Sequence, residues 1–151
     1  MYQLIDKTVI NAPMEEVWDF FSSPHNLRKI SPTYMDFTIT KGGEGKMYPG
    51  QIIAYRVKPL LGIPMTWVTE ITHVREKQFF VDEQRIGPYT MWHHEHHFRE
   101  VEGGIEMTDI VSYKLPLGIL GRLAHFLFVK QQLKGIFEFR AKVIRNFFRT
   151  E

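Results

Sequence analysis

The sequence predicts an α+β domain in which an antiparallel sheet buries one face against a long C-terminal helix. Helix signals follow a first strand near the amino terminus, and residues 34–115 are rich in β-branched and aromatic residues between turn signals. After Pro116, apolar residues return every three or four positions, as on one face of a helix. With 151 residues, 44% of them hydrophobic and 24% charged, the chain is long enough for one such core. We therefore expect residues 1–151 to form a single domain.

The first predicted strand contains the alternating residues Tyr2 and Leu4 and ends at Asn11-Ala12-Pro13. Asparagine favours helix caps and proline fits the first helical turn, so a helix is predicted to follow. Its apolar face is Val17, Trp18, Phe20 and Phe21. Ser22-Ser23-Pro24 interrupts this helix, and a second short helical turn is predicted over 24–29.

Six antiparallel strands are predicted between residues 34 and 115, separated by glycine- and proline-rich turns. The last helix then has about eight turns. Its predicted apolar face consists of Leu120, Leu123, Leu127, Leu133, Phe137, Ala141, Ile144 and Phe148.

Hairpin turns set the expected strand register, because side chains alternate between the two faces of a sheet. We place two-residue turns at Glu76-Lys77 and Gly103-Gly104, and a three-residue loop at Gly87-Pro88-Tyr89. The resulting pairs are Trp67 with Ile86, Thr69 with Gln84, Ile71 with Asp82, His73 with Phe80, Asp82 with His94, His94 with Tyr113, His96 with Val111, and Phe98 with Asp109.

These pairs gather large apolar side chains on one face of the sheet, namely Trp67, Ile71, Phe80, Ile86, Trp92, Phe98, Val111 and Tyr113. The same face carries a polar group made of Asp82, Gln84, His94, His96 and Asp109. Inward carboxylates and imidazoles must either satisfy one another or line a ligand-filled cavity. Polar groups inside an aromatic wall are typical of a small-molecule pocket.

The order of elements resembles the START and polyketide-cyclase superfamily, the helix-grip fold also called SRPBCC, and within it the bacterial ligand-binding subfamily. The motifs that carry the resemblance are Ile10-Asn11-Ala12-Pro13, Val17-Trp18, Phe80-Val81-Asp82-Glu83-Gln84, Gly87-Pro88-Tyr89, Trp92-His93-His94-Glu95-His96-His97-Phe98, Thr108-Asp109 and Tyr113-Lys114-Leu115-Pro116 with Gly118 and Gly121. The resemblance implies a strongly curved seven-stranded sheet wrapped around the C-terminal helix, with two short helices after the first strand. It implies a ligand cavity but no particular reaction.

The leading hypothesis is a protein that binds an amphipathic or hydrophobic molecule, lipid-, polyketide- or aromatic-like, between the sheet and the last helix. Apolar walls are expected from Trp67, Trp92, Phe98 and Tyr113, and orienting hydrogen bonds from Asp82, Gln84, His94, His96 and Asp109. The apolar loop with Leu60, Leu61, Ile63 and Pro64 is the expected pocket mouth, with packing on the last helix as the alternative.

An alternative hypothesis is a cyclase- or dehydratase-like enzyme in the same cavity. Asp82 or Asp109 would act as the base and His94 or His96 as the acid in proton transfer on a carbonyl compound. Catalysis requires matched pKa values that a sequence does not display, so ligand binding without turnover is the preferred prediction.

A metal site is a further alternative, since histidines two apart on a strand point the same way. His94 and His96 with Asp82 or Asp109 would give two imidazoles and a carboxylate. The zincin pattern fails, because Phe98 stands where its second histidine is required. We expect hydrogen-bonded pocket histidines, with no metal and no cofactor.

Charge and cysteine content limit the other function classes. Cysteine is absent, which excludes disulfides and thiol catalysis, and the net charge of +2 does not indicate a nucleic-acid partner. The expected location is the cytoplasm, without stable membrane insertion, because no signal peptide or spanning run is evident. The last helix carries Arg122, Lys130, Lys134, Arg140, Lys142, Arg145 and Arg149. We expect a solvated basic back on a core helix, with a membrane- or protein-interaction module as the alternative.

Overall fold

The computed structural model describes residues 1–149, and of Leu60 only the backbone. The strands are β1 (Tyr2–Ile10), β2 (Thr38–Lys41), β3 (Gln51–Leu60), β4 (Ile63–Arg75), β5 (Phe79–Ile86), β6 (Met91–Val101) and β7 (Gly104–Lys114). The helices are α1 (Met14–Phe21), two 3-10 turns (Pro24–Ile30 and Thr33–Met35), α2 (Gly118–Ala124), a π-helical segment (His125–Val129) and α3 (Lys130–Phe147).

The seven strands form one antiparallel sheet in the order β1-β7-β6-β5-β4-β3-β2. β1 pairs with β7, the last strand in the sequence. From β2 to β7 each strand pairs with the next one in sequence, which is a meander. The sheet curls around the C-terminal helix, and the predicted α+β helix-grip architecture is confirmed. One side of the resulting core joins α1, β6, β7 and the end of α3, and there Trp18 packs edge-on against Phe98 of β6 at 5.5 Å between ring centroids.

The β6–β7 hairpin is shifted by two residues from the predicted register. Val101 pairs with Gly104, so the turn is Glu102-Gly103 rather than Gly103-Gly104. Gly104 lies inside β7, where a Cβ atom would stand 2.0 Å from the Ile10 carbonyl oxygen. A shift of two residues changes partners but keeps every side chain on its predicted face. The corrected pairs are His94 with Val111, His96 with Asp109 and Phe98 with Met107.

The β4–β5 register is confirmed at its centre, where Thr69 pairs with Gln84 and Ile71 with Asp82. Irregularities in the ladder on both sides of these pairs move the flanking residues. His73 therefore pairs with Val81 rather than Phe80, and Ile86 pairs with Val68 rather than Trp67. Both His73 and Ile86 are exposed, so the predicted inward positions of these two are wrong.

The predicted β5–β6 pairing of Asp82 with His94 is confirmed. Farther along the same ladder, Phe80 pairs with His96 and continues this register. This pairing brings the polar residues of two neighbouring strands together on the inner face of the sheet.

The predicted inward face of the last helix is correct in α3 and wrong before it. Leu133, Phe137, Ala141, Ile144 and Phe148 are buried as expected. The π-helical segment widens the turn before α3, so the inward positions there follow a spacing of four residues. They are Gly121, His125 and Val129, whereas the predicted Leu120, Leu123 and Leu127 are exposed.

Candidate functional site

A cavity of about 180 Å³ lies inside the domain between the sheet, the first 3-10 turn and α3. Its walls are mainly apolar. Tyr55, Trp67 and Trp92 line it from the sheet, Leu27 from the 3-10 turn, and Phe137 from α3. Such a wall favours an apolar ligand, because burying its surface removes it from water.

The charged and imidazole side chains in the cavity wall are Asp82, His94, His96 and Arg140. The β5–β6 register sets Asp82 beside His94, and His96 follows two residues later on the same face. Asp109 lies behind the two imidazoles, with none of its surface exposed. Arg140 of α3 reaches the same carboxylate, with 3.6 Å between its Nη2 atom and Asp109 Oδ1. We call these five residues the polar network.

Each imidazole of the polar network lies between the two carboxylates. His94 Nε2–H donates to Asp109 Oδ1 at 2.8 Å, and His94 Nδ1 is 3.8 Å from Asp82 Oδ2. His96 Nε2–H donates to Asp82 Oδ2 at 2.7 Å. His96 Nδ1 is 3.0 Å from Asp109 Oδ1, but the angle does not meet hydrogen-bond geometry. The two rings stack with 3.7 Å between their centroids.

The electrostatics of the polar network keep both carboxylates ionised. Burial raises the pKa of Asp109, but Arg140 and the hydrogen bond from His94 outweigh it and hold that pKa well below its ordinary value. Burial likewise opposes ionisation of Asp82, and His94 and His96 together lower its pKa. Anionic oxygens are thus maintained at the end of an apolar cavity.

The pKa values of His94 and His96 are shifted in opposite directions. Burial, with the neighbouring His96, lowers the pKa of His94. Burial also disfavours charge on His96, but the Asp109 carboxylate 3.0 Å away and the hydrogen bond to Asp82 outweigh it and raise the pKa of His96. Two adjacent imidazoles whose pKa values are shifted in opposite directions are suited to moving a proton or to orienting a polar ligand.

The structure brings together some of the predicted site residues. Trp67, Asp82, Trp92, His94 and His96 line the cavity. The cavity wall does not include Gln84, Phe98, Asp109 or Tyr113 within the described residues.

The four predicted residues outside the wall have structural partners. Phe98 packs in the core with Trp18, Asp109 supports the imidazoles, and the Tyr113 hydroxyl makes a 2.7 Å hydrogen bond with His125 Nε2. The Gln84 amide bonds both backbone groups of Tyr89, with its Oε1 accepting from Tyr89 N at 3.0 Å. Gln84 thereby fixes the β5–β6 loop.

The predicted mouth is the tip of the β3–β4 hairpin. Leu61 is 88% and Ile63 57% exposed, and Pro64 is also exposed. The Leu60 side chain lies outside the described residues. Pro59 at the base of this hairpin lines the cavity, and its carbonyl oxygen accepts a hydrogen bond from the Gln132 side chain of α3. This contact joins the hairpin to the helix at the cavity.

Sequence reasoning assigned Arg140 to the solvated back of the helix, and this assignment is wrong. The Arg140 side chain is 8% exposed and lines the cavity. Arg140 lies three residues after Phe137 and four before Ile144, which are both buried, and this spacing indicates a position on the inward face of the helix. Asp109 Oδ2 and Arg140 Nε have no hydrogen-bond partner within the described part of the chain.

A second unusual feature lies on the outside, where α2 and the π-helical segment project apolar side chains to solvent. We call residues 117–128 the exposed apolar segment. Seven of its side chains are more than half exposed, namely Leu117, Ile119, Leu120, Leu123, Phe126, Leu127 and Phe128. No helix in the described chain is both long and apolar enough to cross a membrane.

The fold and the internal cavity define this chain as a helix-grip protein. It belongs to the family described as polyketide cyclase / dehydrase and lipid transport, whose model matches residues 10–136. A search of curated protein sequences finds no match.

Several solved structures share the fold at low sequence identity. The chain is similar to the di-domain aromatase/cyclase BexL from the BE-7585A biosynthetic pathway, with a TM-score of 0.74, 16% identity, and coverage of 99% of this chain and 50% of that one. It is similar to TTHA0849 from Thermus thermophilus, with a TM-score of 0.70, 15% identity, and coverage of 96% and 95%. CV1439 from Chromobacterium violaceum has a TM-score of 0.70 and 13% identity over the full length of both chains.

Proposed function

We propose that this protein binds a small, largely apolar molecule that carries a polar end, and that it does so in the internal cavity. The observation that carries the proposal is the apolar wall that ends on Asp82, His94 and His96. A cavity of about 180 Å³ is somewhat larger than the roughly 150 Å³ cavity known to bind benzene. It suits one or two fused rings or a short acyl chain. The family description, which includes polyketide cyclases and lipid transport, agrees with such ligands.

The polar end of the ligand would meet the polar network. Trp67 adds a further donor, because its buried Nε1 has no hydrogen-bond partner among the described residues and the side chain lines the cavity. A carbonyl or hydroxyl oxygen on the ligand would satisfy such a group. The apolar body would lie against Tyr55, Trp92 and Phe137.

Native mass spectrometry of freshly purified protein tests the proposal first, because a retained organic molecule would identify the ligand class. If the purified protein carries no ligand, titration with 1-naphthol, a bicyclic phenol, tests the proposal instead. Trp92→Arg should abolish the effect of 1-naphthol on the remaining tryptophan fluorescence, because it places a charge in the cavity wall. Trp18→Phe is the control, since Trp18 packs against Phe98 and is not one of the residues that line the cavity. Unchanged affinity in a folded Trp92→Arg protein would contradict the proposed location.

A proton-transfer enzyme is a second candidate, favoured by the opposite pKa shifts of His94 and His96. His94 donates Nε2–H to Asp109, which leaves its Nδ1 lone pair directed away from that carboxylate. A base held in this way would remove a proton next to a ligand carbonyl.

Deuterium exchange into 1-tetralone, a bicyclic ketone, tests the second candidate in heavy water. His94→Gln should stop the exchange while leaving 1-naphthol binding largely intact. His97→Gln, a change on the half-buried outer face, should leave both unchanged. Exchange that persists in His94→Gln would remove the assignment of His94 as the base.

Attachment to an anionic membrane surface is a third candidate, favoured by the exposed apolar segment. No acidic residue occurs from Leu117 to Phe137, whereas Arg122, Lys130 and Lys134 are basic. This combination suits the surface of a bilayer that contains acidic lipids.

Sedimentation with phosphatidylglycerol vesicles tests attachment. Phe126→Ser/Phe128→Ser should lose vesicle binding, and Ile5→Ser, which removes an apolar residue of β1 that is also more than half exposed, should retain it. Equal binding by both variants would contradict this candidate. Light scattering that instead shows a dimer broken only by the double substitution would assign the segment to a second copy of the chain.

A further inference from the structure

The arrangement of donor atoms around His94 and His96 is more regular than hydrogen bonding alone requires. One nitrogen of each ring lies near Asp82 Oδ2, at 3.8 Å for His94 Nδ1 and 2.7 Å for His96 Nε2. The other nitrogen of each ring lies near Asp109 Oδ1, at 2.8 Å and 3.0 Å. Two stacked imidazoles thus have one common oxygen on each side.

The two carboxylates differ in what else they contact. Asp109 is completely buried, and its Oδ1 lies 3.6 Å from Arg140 Nη2. Asp82 is 17% exposed and lines the cavity, so an incoming ion or ligand can reach it. The side of the imidazoles that faces Asp82 is therefore the accessible side.

We propose that Asp82, His94 and His96 form a binding site for a divalent transition-metal ion that opens into the cavity. The ligands would be an Asp82 carboxylate oxygen, His94 Nδ1 and His96 Nε2. One donor atom from each of the three residues lies within 4.8 Å of the other two. Metal–ligand bonds of about 2.0–2.2 Å allow two donor atoms of one ion to be at most about 4.4 Å apart. The distances of 3.8 Å and 2.7 Å from Asp82 Oδ2 satisfy this limit, whereas the 4.8 Å span of the group exceeds it. Binding requires the two stacked rings to turn toward a common point.

Asp109 and Arg140 complete the site without touching the ion. A histidine that ligates a metal commonly gives its other N–H to a carboxylate, which fixes the ring and its tautomer. Asp109 Oδ1 accepts from His94 Nε2 and lies 3.0 Å from His96 Nδ1, from which it would accept once the His96 ring turns toward the ion. Arg140 balances the Asp109 charge, so the Asp82 carboxylate remains as the anionic ligand.

Two imidazoles and one carboxylate leave coordination positions free, as in catalytic rather than structural metal sites. In this protein the free positions would face the cavity. An oxygen of a bound molecule would then be able to coordinate the ion. The metal site does not depend on the proposed ligand function, since metal binding is measurable with the cavity otherwise empty.

The outer face of β6 provides a built-in control. His93 contacts Glu83 at 2.6 Å and Glu95 at 3.3 Å, and His97 contacts Glu95 at 2.8 Å. These groups are more exposed than the polar network and are also able to attract metal ions. A binding measurement must therefore separate the two faces of the strand.

The test is titration of untagged, chelator-treated protein with Zn²⁺ in competition with a chromophoric chelator, together with visible absorption of the Co²⁺ form. One ion per chain is expected. His94→Gln and Asp82→Asn should each weaken binding at least 10-fold, and Asp109→Asn should weaken it by about 10- to 100-fold as a positioning residue. His93→Gln/His97→Gln should bind as the unaltered protein does.

No binding at 100 μM metal would overturn the proposal, as would binding lost only in His93→Gln/His97→Gln. Asp82→Asn keeps the test informative if a histidine variant fails to fold, because Asp82 is the least buried of the three ligands. 1-Naphthol binding is measured on the same metal-free samples. If the protein binds 1-naphthol but no metal ion, the proposed metal site is wrong and the proposed ligand function stands. If it binds a metal ion but no 1-naphthol, only the proposed ligand function is overturned.

Discussion

Removing the Arg140 guanidinium should destabilise the protein strongly at neutral pH. Arg140 Nη2 is 3.6 Å from Asp109 Oδ1, and the two side chains are 8% and 1% exposed. With an effective dielectric constant of about 20, the attraction at this distance is about 4 to 5 kcal/mol. Arg140→Met keeps most of the packing volume but leaves the carboxylate buried with only its imidazole partners. We expect a loss of about 3 kcal/mol in the free energy of unfolding.

Urea unfolding at pH 7 measures this loss, with Arg145→Met as the matched control. Arg145 is an exposed residue of the same helix, so its substitution should change stability by less than about 0.5 kcal/mol. Because the pKa of Asp109 is lowered in the folded protein, ionised Asp109 adds to the free energy of unfolding above the unfolded pKa of about 4. This stabilisation is lost as the pH falls through the folded pKa. The difference in free energy of unfolding between Arg140→Met and the unaltered protein should therefore become smaller below about pH 4. Equal stability of the two methionine variants at pH 7 would refute the reasoning.

Two further predictions concern the hairpin glycine and the pH dependence of folding. Gly104→Ala places Cβ 2.0 Å from the Ile10 carbonyl oxygen at a φ of +137°, so urea unfolding should show a loss above about 2 kcal/mol. Gly45→Ala is the control, because Gly45 has a positive φ but open space around it, and it should lose about 1 kcal/mol of unfolding free energy. Equal losses in the two alanine variants would contradict the close approach of residue 104 to the Ile10 carbonyl oxygen. The nearby Asp109 carboxylate and the hydrogen bond to Asp82 outweigh burial and raise the pKa of His96, so the stabilisation by protonated His96 is present below pH about 6.5 and is lost as pH rises through the folded pKa. Metal-free His96→Gln should lack this alkaline loss in urea titrations, and an unchanged pH profile would contradict the assignment.

The alternation of side chains along the strands was predictable because one face of each strand is buried. The polar residues on β5 and β6 follow this rule, and a register error of two residues at Glu102-Gly103 did not move any of them to the other face. Ladder irregularities near His73 and Ile86 were not predictable, because an extra residue in one strand leaves no clear pattern in a sequence.

The last helix shows a different limit of sequence reasoning. Leu120, Leu123 and Leu127 have the period of a buried face, yet they are exposed because the π-helical segment changes the phase of the helix before α3. Arg140 was assigned to the surface by its charge, although its position in the repeat is inward. A buried arginine requires a buried carboxylate partner, and Asp109 supplies it from a distant strand.

Filling the cavity tests the central claim, that a small apolar molecule binds inside the domain. Ile136 lines the cavity from α3 and is only partly buried, so Ile136→Trp should fill the cavity without unfolding the protein. Glu138→Trp adds the same bulk to the exposed side of the same helix. We predict that calorimetric titration with 1-naphthol gives binding for Glu138→Trp and the unaltered protein but none for a folded Ile136→Trp. Equal binding by both tryptophan variants would place the ligand elsewhere and contradict the account.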